Sequence, residues 1–169
     1  MSFRNSSSKS SSTSNAPTKN SSDKKTLNIL YIEDSEIDYK IYSRSIRKSL
    51  QDTFEVNIIN CDNLADSTEK LSSKSFDLLI IDLNIVDSSG YNTFEEVKKN
   101  CKNETPIIIL TGIEDPNIMN KCLEAGNENY FVKGVNDRNI IGKLLSICLD
   151  QTRMRERVKN LNIKASNYY

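Results

Sequence analysis

Short apolar runs recur along the chain and alternate with stretches whose apolar residues stand three or four positions apart. The runs lie at 27–32, 54–59, 76–83, 107–110 and 129–132. Runs of this length predict β-strands, and a continuous run such as Leu78 to Ile81 is typical of a strand buried on both faces of a parallel sheet. Five such strands alternating with helices predict an α/β fold, a doubly wound parallel sheet with helices on both faces.

Capping residues indicate where several helices begin and end. Ser35 is a good N-cap, and Asp38 follows three residues later in the manner of a capping box. Asp115 and Pro116 put proline at a first helical position, and Gly126 is suited to ending that helix. Weaker patterns predict helices over 62–73 and around 94–97, a loop over 84–90, and a last helix that starts near Val135 or Asn136.

The two ends of the chain differ from its middle. Ten serines lie between positions 2 and 22, and this composition predicts a disordered tail over 1–26. Residues 27–150 contain all the predicted strands and form the predicted domain. Residues 151–169 carry five basic side chains and one acidic one, and we expect a basic helical extension there.

The last helix carries an apolar seam whose members follow one another at intervals of 3, 4, 3, 4 and 3 residues. The seam consists of Leu144, Ile147, Gln151, Met154, Val158 and Leu161. Two interpretations fit this spacing. One is an ordinary amphipathic helix that frays after about residue 152, and the other is a coiled-coil extension that forms a homodimer or passes a signal to another module.

Charge and composition argue against several classes of function. The 23 basic and 23 acidic residues hide an acidic middle, in which 13 basic and 21 acidic residues over 27–150 would repel nucleic acid. The chain has no histidine and no C-x-x-C spacing, which excludes histidine catalysis and argues against zinc. No membrane span, signal peptide or nucleotide-binding glycine motif is present. We expect a soluble cytoplasmic protein whose cysteines are reduced.

Polar residues stand at the carboxyl ends of the predicted strands. Glu33 and Asp34 follow the first strand, Asp82 lies near the end of the third, and Thr111 and Lys133 follow the fourth and fifth. Because the carboxyl ends of parallel strands share one edge, these side chains should converge. Three carboxylates without His or Cys suit Mg²⁺, while an ammonium and a hydroxyl would bind the oxygens of a phosphoryl group. The set predicts a phosphoryl acceptor with Asp82 as the nucleophile.

These segments resemble the receiver domain of two-component response regulators. The matching stretches are 29–35, 77–84, 105–112 and 130–134, in the family's order and spacing. The resemblance covers residues 27 to about 150 and implies a flavodoxin-like, five-stranded parallel sheet of order 2-1-3-4-5, here with an extended C-terminal helix.

The resemblance also implies a role for each residue of the site. Asp82 would be the phosphoacceptor. Glu33 and Asp34 would hold Mg²⁺ directly or through water, together with Asp82 and the backbone carbonyl of Asn84.

Thr111 and Lys133 would contact the phosphoryl group, and Tyr130 matches the switch aromatic that turns inward when Thr111 moves. One departure concerns Val86, which stands where the family usually has proline, so the loop after Asp82 is expected to be less rigid. A second is Gly112, where alanine is common; either residue leaves room for a phosphoryl group.

The implied function is a phosphorelay switch that receives its phosphoryl group from a sensor histidine kinase or a histidine phosphotransfer protein. Such a protein would not be an enzyme beyond promoting transfer onto its own Asp82. A phosphohydrolase of the haloacid dehalogenase type also uses an aspartate nucleophile, but it needs a second aspartate where Asn84 stands. The remaining alternative is a degenerate receiver, a phosphorylation-independent interaction or dimerisation module.

Overall fold

Strands and helices alternate along the chain in the computed structural model, which describes residues 24–102, 105–127, 129–134 and 138–166. The strands are β1 Lys25–Ile32, β2 Phe54–Cys61, β3 Leu78–Ile81, β4 Ile107–Thr111 and β5 Tyr130–Val132. The helices are α1 Glu36–Leu50, α2 Leu64–Ser73, α3 Tyr91–Asn100, α4 Pro116–Glu124 and α5 Arg138–Ser166. The predicted α/β alternation is confirmed.

The five strands form one parallel sheet of order β2-β1-β3-β4-β5, as predicted. β1 lies between β2 and β3, so the chain proceeds to one side of β1 and then returns to the other. Such a reversal opens a crevice at the carboxyl ends of the two strands, where open α/β sheets bind ligands. In this chain the crevice lies beyond Ile32 and Ile81, which are paired in the register.

Two apolar layers cover the sheet because successive strand side chains point to opposite faces. Ile29 and Tyr31 lie in one layer, which α1 and α5 complete, and Leu30 and Ile32 lie in the other, which contains residues of α2, α3 and α4. Every residue of β3 is buried. The continuous apolar run therefore reflects a central strand covered on both sides.

Several boundaries differ from the sequence-based expectations, most by one or two residues, and the first and third strands and the loop after Asp82 differ most. β1 begins at Lys25, before the predicted start at 27, because it pairs with β2 from Lys25 opposite Phe54 onward. β3 is shorter than the predicted 76–83. The predicted loop 84–90 contains a small antiparallel hairpin in which Asn84–Ile85 pairs with Ser88–Ser89. The rest of the predicted tail, 1–23, lies outside the described residues.

The last helix continues as one element to Ser166, which contradicts fraying after about residue 152. Its predicted start at 135 or 136 lies outside the described residues. The start of α4 is as predicted, with Asp115 accepting a hydrogen bond from the N–H of Asn117 at 2.8 Å. In the described part of the chain, no helix is both long enough and apolar enough to cross a membrane.

Candidate functional site

Asp82 follows β3 and keeps the sheet register, since its N–H donates to the carbonyl of Ile32 at 2.9 Å. Its side chain is only 9% exposed. Oδ2 lies 2.7 Å from Nζ of Lys133, and Oδ1 accepts hydrogen bonds from the Thr111 hydroxyl at 2.7 Å and the Asn84 N–H at 3.0 Å. An aspartate held in this way at the mouth of a crevice is oriented and still reachable.

Lys133 follows β5 and brings one ammonium group into contact with three carboxylates. Its Nζ lies 2.5 Å from Oε2 of Glu33, 2.7 Å from Oδ2 of Asp82 and 3.0 Å from Oδ2 of Asp38. Burial alone would lower the pKa of Lys133, but its hydrogen bonds and charge interactions with Asp82 and Glu33 outweigh burial and raise that pKa above its ordinary value. Lys133 is therefore a fixed positive charge within the crevice.

Glu33 is fully buried at the end of β1. Its Oε2 accepts from the hydroxyl of Tyr31 at 3.2 Å, and its Oε1 accepts from the N–H of Ser35 at 3.1 Å. Burial raises the pKa of Glu33, while the hydrogen bond and charge of Lys133 oppose this shift. The carboxylate is oriented by three different groups, the Tyr31 hydroxyl, the Ser35 N–H and the Lys133 ammonium, which fixes it as part of the floor of the crevice.

Two residues of this cluster were missed as site residues by sequence reasoning. The sequence pattern predicts Asp38 as half of a capping box. Ser35 does accept from the Asp38 N–H at 3.3 Å, but the Asp38 carboxylate contacts Lys133 instead of completing the box. Tyr31 is a core residue whose hydroxyl contacts Glu33, and burial raises its pKa. The spacing of Asp38, one helical turn after Asp34, was the available signal.

Asp34 and Asn84 are near the cluster without joining the contacts of Lys133. The Asp34 side chain is exposed next to buried Glu33. Asn84 contributes its N–H to Asp82, and its side chain is exposed. The metal-binding roles of Asp34 and of the Asn84 carbonyl therefore remain predictions.

The hydroxyl of Thr111 is directed at Asp82 and also accepts from the N–H of Ile113 at 3.3 Å. Thr111 is fully buried. Tyr130 is half-buried, its hydroxyl donates to the carbonyl of Ile113 at 2.9 Å, and burial raises its pKa to about 12. Thr111 and Tyr130 thus share Ile113 as a neighbour, which links the site to the α4 side of the sheet.

Hydrogen bonds hold the loop after Asp82, in which Val86 stands where the family usually has proline. Val86 is 76% exposed at the tip of the hairpin. Asp87 accepts hydrogen bonds from the N–H groups of Leu64 at 2.8 Å and Ala65 at 3.2 Å, and so binds the first turn of α2. Thr93 donates to the carbonyl of Leu83 at 3.0 Å. These contacts restrain the loop at positions where no proline limits the backbone; its lower rigidity remains a prediction.

The charge of the cluster suits a divalent cation. When ionised, the carboxylates of Glu33, Asp38 and Asp82 carry two more negative charges than Lys133 neutralises. Among the residues that the structure describes, no group of three or more acidic, Cys or His side chains is placed to hold a metal ion. Mg²⁺ does not need such a group, because it is held by one or two carboxylates and keeps several waters.

Comparison with known proteins identifies a matching family model and several relatives. The family model described as "Response regulator receiver domain" matches residues 29–145. The two-component response regulator ORR3 of Oryza sativa is 24% identical over 114 residues, which cover 66% of this chain and 83% of that protein. A probable transcriptional regulator, ycf27 of Cyanidium caldarium, is 27% identical over 129 residues, which cover 73% of this chain and 47% of that protein.

Solved structures share the fold. A CheY-like receiver domain protein from Methanospirillum hungatei JF-1 matches with a TM-score of 0.62 at 22% identity, over 77% of this chain and 98% of that one. The receiver domain of sensor histidine kinase PA1611 from Pseudomonas aeruginosa, solved with magnesium in its active-site cleft, matches with a TM-score of 0.60 at 18% identity, over 74% and 98%. With the family model spanning most of the chain, this protein belongs to the response regulator receiver domain family.

Proposed function

We propose that this chain is a phosphorelay switch that accepts a phosphoryl group on Asp82. The observation that carries the proposal is the surroundings of the Asp82 carboxylate. One oxygen lies 2.7 Å from the Lys133 ammonium, and the other is 2.7 Å from the Thr111 hydroxyl. These two donors stand where the equatorial oxygens of a transferring phosphoryl group would need positive charge and hydrogen bonds.

The transfer is a displacement at phosphorus. A carboxylate oxygen of Asp82 forms a bond to phosphorus while the P–N bond of a phosphohistidine donor breaks, and the electron pair stays on the imidazole nitrogen. Lys133 and Thr111 compensate the charge on the phosphoryl oxygens. The donor is a sensor histidine kinase or a histidine phosphotransfer protein, and the chain promotes only its own modification.

The residues present fit Mg²⁺ in their chemistry, because hard carboxylate oxygens and excess negative charge surround the crevice. Glu33, Asp34, Asp82 and the carbonyl of Asn84 would hold the ion, directly or through water. When bound, Mg²⁺ would neutralise charge on the phosphoryl oxygens. The solved PA1611 receiver, which has the same fold, carries magnesium in its active-site cleft.

The output of the switch is a change in partner binding at the α4 side of the sheet. Thr111 would move with the phosphoryl group, and the space it leaves would admit Tyr130, whose hydroxyl now contacts Ile113. We place the process in the cytoplasm, where the four reduced cysteines are stable.

Incubation with acetyl phosphate and Mg²⁺ tests the proposal, with intact mass as the readout. We expect the wild-type chain to gain the mass of one phosphoryl group and Asp82→Asn to gain none. Asp77→Asn is the matched control, because Asp77 lies at the other end of β3, where it accepts from the N–H of Asn28 at 2.8 Å. This variant should be modified like the wild type.

Two outcomes would contradict the proposal. Failure of every small phosphodonor and of purified phosphohistidine donors to modify a folded wild-type chain would favour a phosphorylation-independent interaction module. Equal modification of the wild type and Asp82→Asn would assign the acceptor to another residue.

A further inference from the structure

The last helix presents an apolar strip to solvent. Ile147 is 53% exposed, Met154 68%, Val158 56% and Leu161 66%. They are spaced by seven, four and three residues, and Gln151 stands between the first two. This spacing places them at the a and d positions of a heptad repeat, with Gln151 and Val158 at a.

A different strip of α5 packs on the domain. Leu145 is fully buried, and Cys148 and Leu149 are at most 8% exposed. The guanidinium of Arg153 lies 4.2 Å from the centre of the Phe54 ring, against the amino end of β2. Residues 157–163 are all exposed. The solvent-facing strip is therefore not a continuation of the strip that the domain covers.

We propose that this strip binds the same strip of a second copy, forming a parallel, in-register coiled-coil homodimer. A heptad seam is complementary to itself, because each a or d side chain inserts between four residues of an identical facing helix. Burial of Met154, Val158 and Leu161 from both chains would remove a row of large apolar side chains from water, which favours association.

Gln151 and the charges beside the seam select the orientation. In a parallel dimer, Gln151 faces Gln151 of the other copy, and the two amides can hydrogen-bond. In an antiparallel dimer, a positions face d positions, so Gln151 would be buried against an apolar side chain without an amide partner.

The charged residues beside the seam also favour the parallel orientation. Asp150 occupies a g position and Arg155 the following e position. A parallel dimer puts Asp150 of each chain beside Arg155 of the other, which is an attractive pair. An antiparallel dimer centred on the seam would instead bring Arg155 near Arg155 and Arg157 near Arg157.

The proposed interface lies far from the crevice. Arg153 of α5 contacts Phe54 at the amino end of the parallel strands, and the exposed part of the helix continues from there. Asp82 is at the carboxyl end of the strands. The dimer should therefore form whether or not Asp82 is modified, and its failure would leave the phosphoacceptor proposal untouched.

Sedimentation equilibrium of the full chain over a wide concentration range measures the association. We expect a dimer in the wild type and equally in Asp82→Asn. Val158→Glu should weaken the dimer at least about tenfold, because it places a charge in the seam. Asn160→Glu is the matched control, since it adds the same charge at an exposed position outside the seam, and it should not change the association.

Cross-linking tests the orientation. Under oxidising conditions, Gln151→Cys should form a disulfide between two copies, whereas Asn160→Cys and the wild type, whose own cysteines are buried or half-buried, should not. A wild-type chain that stays monomeric at the highest concentrations would overturn the proposal. So would a dimer that Val158→Glu leaves intact, or a helical Gln151→Cys dimer that does not cross-link.

Discussion

At the scale of single residues, the sharing of Lys133 among three carboxylates is the most specific feature of the site. Asp38 lies 3.0 Å from its Nζ, further than Glu33 or Asp82, and the Asp38 side chain is 37% exposed. Asp38 adds negative charge to the crevice, and it also shares the ammonium with Glu33 and Asp82. Both effects should favour entry of a cation.

Asp38→Asn is expected to weaken Mg²⁺ binding about threefold to tenfold, because one nearby charge is lost and Lys133 competes more strongly for Glu33 and Asp82. The chain has no tryptophan, so tyrosine fluorescence can report binding through Tyr31, which contacts Glu33. Glu36→Gln, in the same first turn of α1 but paired with Lys40, should leave the affinity unchanged. An unaltered affinity in Asp38→Asn would remove Asp38 from the site.

At the scale of elements, the hairpin after β3 is held to α2 by one side chain. Asn63 caps α2 from within by accepting from the N–H of Asp66 at 2.8 Å, and Asp87 binds the N–H groups of Leu64 and Ala65 from the loop. The negative charge of Asp87 also lies at the positive end of the helix dipole. The loop path beside Asp82 is thus fixed by a helix start rather than by a proline.

Asp87→Ala is expected to lower the free energy of unfolding by about 1 kcal/mol, since the first turn of α2 loses an outside cap. Urea denaturation followed by circular dichroism measures it. Asp87→Asn keeps an acceptor and should lose less. Asp52→Ala, at an exposed aspartate in the turn before β2, serves as the control for loss of a charge. Equal stability of Asp87→Ala and the wild type would show that the hairpin does not depend on this contact.

At the scale of the whole molecule, the crevice joins elements that are distant in sequence. Lys133 after β5 contacts residues from the end of β1, the first turn of α1 and the end of β3. A cation that binds this cluster only in the folded state must stabilise the entire fold by mass action.

Mg²⁺ at about a hundred times its dissociation constant should add about 2.7 kcal/mol to the free energy of unfolding. The measurement is thermal unfolding with and without Mg²⁺, using NaCl of matched ionic strength as the control. Asp82→Asn should show a smaller gain, because it lacks one of the proposed ligands. If MgCl₂ and matched NaCl gave the same melting temperature, the crevice would not be a cation site.

The sequence alone identified most of the side chains that meet in the crevice. Buried parallel strands need continuous apolar runs, so the polar residues that end them, Glu33, Asp82, Thr111 and Lys133, were identifiable by position. The same periodicity predicted the order of strands and helices, and Ser35 and Asp115 were found as caps because the first turn of a helix needs local acceptors.

Only the tertiary structure decided how those residues pair. The local pattern predicted that Asp38 completes a capping box. In the structure its carboxylate instead contacts Lys133, which lies 95 residues away in sequence. The pattern likewise predicted no contact that holds the loop after Asp82. In the structure Asp87 of this loop accepts a hydrogen bond from the start of α2, 23 residues earlier in the chain. Such contacts depend on the packing of separate elements, whereas a sequence pattern reports only the period of one element at a time.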